Sequence, residues 1–133
     1  MKHLLIFMEK KNVRSVLEYA SVVWSSSITK KNTAQIERVQ KAAFAIVLDK
    51  QYVSYQQACA VLNMDMLCER REKLAKQFAL KASKHPLHKD WFVQNCDSTN
   101  TRQTKLKFKP PQGRTERFLG SAIPYLTSLL NDQ

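Results

Sequence analysis

Met66-Leu-Cys-Glu-Arg-Arg-Glu-Lys-Leu-Ala-Lys-Gln-Phe-Ala-Leu-Lys-Ala-Ser83 decides the fold class. At about 100° of turn per residue, Leu67, Leu74, Ala75, Phe78 and Ala82 fall within about 100° of arc, with Arg70, Lys73, Lys76, Lys81 and Lys84 on the neighbouring arc. That spacing predicts an amphipathic helix, and Pro86, which lacks a backbone N–H, closes it. Working back, Ser54 to Leu62 reads as a short helix with Tyr55, Ala58, Cys59 and Leu62 on one face, followed by a turn at Asn63-Met64-Asp65. Before it, Ile36, Val39, Ala43, Ile46 and Val47 form a stripe on a helix that starts at Thr33, a hydroxyl N-cap, and stops near Asp49. Glu37 and Lys41 sit four apart on that helix and are expected to pair on its exposed side.

At the N-terminal end, a dense apolar start from His3 to about Lys11 continues through Val13, Val16, Leu17, Ala20, Val23 and Trp24. One helix is expected, bent near Lys10-Lys11-Asn12 and ending at Ser25-Ser26-Ser27. Leu4 to Met8 opens with no cap before it, so truncation is expected. On the C-terminal side Asp97 to Thr101 is loop-like. Arg102 to Lys109 alternates as a short extended strand that ends at Pro110-Pro111. Phe118, Leu119, Ala122, Ile123, Leu126, Leu129 and Leu130 recover helical spacing, with Pro124 in the first turn of a final short helix. The expected architecture is mainly α: a small bundle of four to five helices with a short extended segment and a loop-rich basic C-terminal part. Its divisions are a helical bundle over 1–84, a basic linker over 85–113 and a short C-terminal helix over 114–133.

Composition agrees. Two glycines and four prolines in 133 residues disfavour a turn-rich β architecture, and 44% apolar residues argue against wholesale disorder. Apolar runs such as Leu4 to Met8 fall far short of the ~20 residues that span a bilayer, and no secretory signal is evident, so an intracellular location and no membrane partner are expected. Cys59, Cys68 and Cys96 form no Cys-x-x-Cys pair and read as reduced thiols, Cys59 and Cys68 facing the core.

The charge is the strongest bulk clue. Twenty-two Lys and Arg against eleven Asp and Glu give +11, and the pI is near 9.8. Residues 69–89 and 100–117 each carry a surplus of five, so these two segments hold ten of the eleven net charges. Banked cations of this kind suit a polyanion, nucleic acid first. Trp91, Phe92 and Phe108 lie near them and are of the type that stacks on bases, whereas Phe78 sits on the apolar stripe.

Catalytic signatures are sparse. Two-metal phosphoryl chemistry needs clustered carboxylates, but Asp49, Asp65, Asp90, Asp97 and Asp132 are scattered singly. His85, His88 and Cys96 fall short of the four paired ligands of a structural zinc site, and His85-Pro-Leu-His88 reads as a surface loop. Gly113 and Gly120 are the only glycines, so there is no glycine-rich phosphate loop. No catalytic residue, metal, cofactor or small-molecule ligand is expected.

Two strings carry a family likeness: Arg14-Ser-Val-Leu-Glu-Tyr-Ala-Ser-Val-Val-Trp24 and Ile36-Glu-Arg-Val-Gln-Lys-Ala-Ala-Phe-Ala-Ile-Val47. Together they resemble the segment that follows the catalytic palm in reverse transcriptases of non-LTR (LINE-type, jockey-like) retrotransposons. Ser54-Tyr55 with Ala58 and Leu62, Leu67-Cys-Glu-Arg-Arg-Glu-Lys-Leu74, Asp90-Trp91-Phe92, and Thr101-Arg102 with Arg114-Thr-Glu-Arg117 to Pro124-Tyr125 extend the likeness in order along nearly the whole chain. The sequence departs from the pattern at Val22, where a proline is usual, and at Ala42 and Ala43, where arginines are usual.

The resemblance implies the thumb and C-terminal extension of an RNA-directed DNA polymerase, without its catalytic aspartates and so not an enzyme by itself. It implies a grip on RNA or an RNA–DNA template–primer duplex beside the remaining polymerase domains. By that likeness Arg70, Arg71, Lys73 and Lys76 would track the phosphate backbone, with Lys105, Lys107, Lys109, Arg114 and Arg117 as a second strip. The competing expectations are a helical protein–protein interaction module, with Leu4 to Phe7 and Leu129-Leu130 as its patch, and the product of a decayed element. Modest apolar stripes predict marginal stability.

Overall fold

The computed structural model describes residues 6–95 and 106–132, and the chain is mainly helical, with no strand among the described residues. Residues 6–8 are helical and lead into a π-helical turn at Glu9–Val13, where the Arg14 N–H reaches back to the Glu9 carbonyl. The expected bend at Lys10-Lys11-Asn12 falls within this widened turn. Helix α1 (Arg14–Glu18) follows, then α2 (Ser21–Trp24), α3 (Lys30–Leu48), α4 (Tyr55–Leu62), α5 (Leu67–Lys84), α6 (Glu116–Leu119) and α7 (Ala122–Asn131). The single helix expected up to Ser25 is interrupted, because Ala20 takes φ 48° and turns the chain between α1 and α2.

By contacts the chain forms two compact units. The first comprises 1–21 and 28–72, the second 22–27 and 73–133. The backbone passes from the first to the second within α2, returns between Ser27 and Ile28, and passes over again within α5, so these units follow tertiary contacts where the 1–84, 85–113 and 114–133 divisions follow sequence pattern.

The first unit is organised around α3 and α4. Thr29 caps α3, its hydroxyl accepting from the Asn32 N–H, so the helix begins one turn before Thr33. Ser54 caps α4 through the Gln57 N–H, each such cap being worth about 1 kcal/mol. Asn63 ends α4 in the left-handed region, which asparagine tolerates better than most residues. Phe44, Val47, Leu48, Ala58, Cys59, Leu62 and Met64 make the core.

The buried face of α3 is Gln40, Phe44, Val47 and Leu48, and Val39 and Ile46 of the expected stripe are 49% and 73% exposed. The helix has rotated to bring its polar groups inward. Glu37 is turned to Tyr55, whose phenol lies 2.5 Å from Glu37 Oε2, and to the Cys68 N–H at the start of α5, 2.8 Å from Oε1. Both carboxylate oxygens are therefore engaged within the unit. Lys41, the expected partner of Glu37, lies over the Tyr55 ring at 5.1 Å. Gln40 is fully buried, its Oε1 3.0 Å from the Tyr55 oxygen and its Nε2 without a partner. The phenol has one proton and the carboxylate is the stronger acceptor, so turning the Gln40 amide over lets Nε2 donate to the phenol oxygen. Cys59 is buried as expected, but Cys68 is exposed in the first turn of α5.

The second unit packs the C-terminal half of α5 against α7 and the segments between them. Ala75, Ala79 and Ala82 meet Phe92, Phe108, Leu126, Leu129 and Leu130. The small alanines let the bulkier side chains close on the helix, and Phe92 meets Phe108 edge-on at 6.2 Å between centroids. Leu129 and Leu130, expected on an interaction patch, belong to this core. Phe78, expected inside, is 38% exposed, because the buried face of α5 is centred on Ala75, Ala79 and Ala82. Pro124 lies in the first turn of α7, where its missing N–H costs nothing.

Candidate nucleic-acid interface

Arg70 and Arg71 belong to the first unit. Arg70 Nε lies 3.3 Å from Glu18 Oε1, and the same carboxylate takes Arg14 Nε at 2.8 Å. Arg14 also donates to the Asp65 carbonyl. Arg71 is only 5% exposed. It lies four residues from both Leu67 and Ala75, so the helix turns it onto the buried face. Both arginines thus have structural roles within the unit, and Arg71 is withdrawn from the surface.

The remaining described candidates lie in the second unit. Lys73, Lys107, Lys109, Arg114 and Arg117 are exposed and Lys76 is half-buried. Lys105 lies outside the described residues, as do Cys96 and the first half of the expected strand over 102–109. The part of that strand within view pairs by a single antiparallel bridge between Gln94 and Phe108. There the Asn95 N–H donates to the Lys107 carbonyl and the Lys109 N–H to the Val93 carbonyl.

Phe108 is held from its other side by one residue of α7. Asn131 accepts from the Phe108 N–H at 2.9 Å and donates to its carbonyl at 3.0 Å, so a side-chain amide replaces a neighbouring strand. Phe108 is buried between these supports, and alternation leaves Lys107 and Lys109 outward. Further on, the Phe118 ring lies over Gly113 so closely that any Cβ there would collide with it. Thr115 caps α6 through the Phe118 N–H. Arg114 and Arg117 project from this pinned turn, and Arg117 borders a polar cleft of about 690 Å³ lined by Ser26, Ser27, Thr115 and Ser121.

Several further groups were not among the expected phosphate contacts, although Trp91 is one of the expected base-stacking rings. Lys81 and Lys84 lie on the exposed face of α5 and Lys89 follows in the next turn. Between and beyond Lys84 and Lys89 lie three rings in succession: His85 stacked on His88 at 5.1 Å between centroids, and His88 tilted by 35° against Trp91 at 4.4 Å. The visible signal was the three-residue spacing of the rings.

Among the described residues no group of three or more His, Cys, Asp or Glu is placed to hold a metal ion, and no helix is long and apolar enough to cross a membrane. No protein-family model, curated protein or solved structure matches the chain.

Proposed function

We propose that this chain is a palm-less piece of a LINE-type RNA-directed DNA polymerase that holds nucleic acid without regard to sequence. In this reading it has no polymerase activity of its own, and RNA or an RNA–DNA template–primer duplex is its partner. The family reading rests on the ordered motifs from Arg14 to Tyr125. The binding reading is carried by one observation: the second unit has eleven Lys and Arg against four acids, and eight of its nine described cations are exposed. Cations displayed in this way attract phosphates and release condensed counterions, an interaction that is strong at low salt and indifferent to base identity.

The test is fluorescence anisotropy of a labelled RNA–DNA duplex titrated with the full chain at several salt concentrations. Affinity should fall steeply with salt, and charge reversal at Lys73, Lys76 and Lys107 should reduce the log–log slope by about 0.9 for each phosphate that is no longer neutralised. Absence of binding to duplex or single strand at about 50 mM salt overturns the proposal.

An interaction-module reading keeps one specific support, the exposure of Val39 and Ile46 on α3. It expects a defined oligomer by light scattering and no response to polyanions.

A further inference from the structure

After α5 the chain makes a succession of tight turns. The His85 N–H bonds to the Ala82 carbonyl, the His88 N–H to the His85 carbonyl, and the Trp91 N–H to the His88 carbonyl. Residues three apart in such turns are eclipsed. The eclipsed positions here are His85, His88 and Trp91, and their rings therefore follow one another in a column, His85 and His88 inclined by 28° and His88 and Trp91 by 35°. The Leu87 N–H donates to His85 Nδ1 and holds the first ring in place.

The column is a surface feature. Phe92 turns inward at 3% exposure and supplies the core, while the neighbouring Trp91 stays 41% exposed. His85 is exposed and His88 half-buried. Leaving a tryptophan ring in water is unfavourable unless something covers it. The column is continuous with exposed cations, since Lys81 and Lys84 precede it and Lys89 sits within it. Over residues 73–95 the only acid is Asp90.

We infer that the His85–His88–Trp91 column is a stacking platform for an unpaired base of single-stranded nucleic acid, laid on the exposed Trp91 ring while Lys84 and Lys89 hold the flanking phosphates. This rests on the proposed nucleic-acid binding and adds a discrimination that phosphate attraction lacks. A base inside a duplex offers no free face, whereas an unpaired base brings a ring to continue the column.

The test uses the full chain with Trp24→Phe, so that Trp91 is the sole tryptophan, and two labelled probes: a twelve-nucleotide oligothymidylate and a blunt twelve-base-pair duplex. The single strand should quench Trp91 fluorescence and the blunt duplex should not. Trp91→Leu, which keeps apolar bulk without a ring, should weaken single-strand binding about tenfold while duplex binding changes less than twofold. Trp91→Phe should recover most of the loss, and circular dichroism checks that each variant is folded. Equal losses for both probes, no loss for either, or unquenched Trp91 in a bound single-strand complex would each overturn the platform while leaving duplex binding intact. Failure of the wild-type chain to bind either probe removes the platform together with the binding reading beneath it.

Discussion

The two units carry the same number of cations, eleven each, but against seven acids in the first and four in the second. The first unit leaves Lys11, Lys30, Lys31, Arg38, Lys41 and Lys50 exposed but turns its three remaining described cations and two of its acids to internal use. Glu18 gathers Arg14 and Arg70, Arg71 is buried, and Glu37 is engaged by Tyr55 and the Cys68 N–H. The second unit has an apolar core of alanines, leucines and two phenylalanines and leaves its lysines and arginines outside. Local acids and helix phase therefore decide whether a basic stretch is internal glue or a surface for anions. The count of cations alone does not.

If the cores are built separately, the largest effect comes from removing the first unit's central ring. Phe44 is fully buried and lies 5.8 Å from Tyr55. Phe44→Ala should cost about 3–5 kcal/mol. Hydrogen exchange should show the loss in α3 and α4, with α7 retaining its protection; equal loss across both units would break the comparison.

Next in size is the clamp that displays the second unit's charge. Asn131→Ala removes two hydrogen bonds to a half-buried backbone and should cost about 2 kcal/mol in a urea melt. Because Lys107 and Lys109 flank the clamped residue, duplex affinity should fall as well although no cation is removed. Unchanged affinity in the folded variant would show that the strip does not depend on this support.

Much of this was legible in the sequence. The phase of α4, the turn at Asn63 and the placement of Pro124 followed from local chemistry, because there the apolar pattern and the backbone donors agreed. The phase of α3 was not legible. Apolar residues occupy more than one of its faces, and the deciding features are Gln40 and Glu37, whose partner Tyr55 is brought near only by the tertiary fold. Ala20 has a positive φ with no glycine or proline to announce the break. Arg71 was readable in principle from its four-residue spacing to Leu67 and Ala75, but its positive charge argued for the surface. The ring column needed both the three-residue spacing and the turns that make it a register.

A smaller effect separates the two uses of charge directly. Glu18 has 15% side-chain exposure, Arg14 13% and Arg70 42%. Solvent screens the Arg70 arm, and glutamine keeps an oxygen that can accept from Arg14, so Glu18→Gln should cost about 1–2 kcal/mol. The salt slope of duplex binding should stay unchanged, since these groups already have internal partners. A changed slope would mean that the first unit also meets phosphate.

The smallest effect is a pH dependence confined to the first unit. Burial, then the hydrogen bond and charge of Glu37, push the Tyr55 phenol far above its usual range. The unfolded chain releases that proton near pH 10, about the ordinary tyrosine value, whereas the folded chain retains it. A folded-state value above the unfolded one favours folding fully below about pH 10, and the benefit is lost as pH rises beyond it. Tyr55→Phe should cost about 1 kcal/mol at neutral pH, from the lost hydrogen bond. Between pH 9 and 11 the wild type should lose more stability than the variant, narrowing the gap between them. Burial also raises the Cys59 thiol, with Glu37 adding to it and the Tyr55 hydrogen bond opposing it, so both proteins carry Cys59→Ala, which removes that titration from the comparison. Urea midpoints for the pair at pH 8, 9.5 and 11 provide the measurement. Profiles that run parallel would mean that the phenol is not held by Glu37 in the folded state, and the inward use of charge in the first unit would lose its central example.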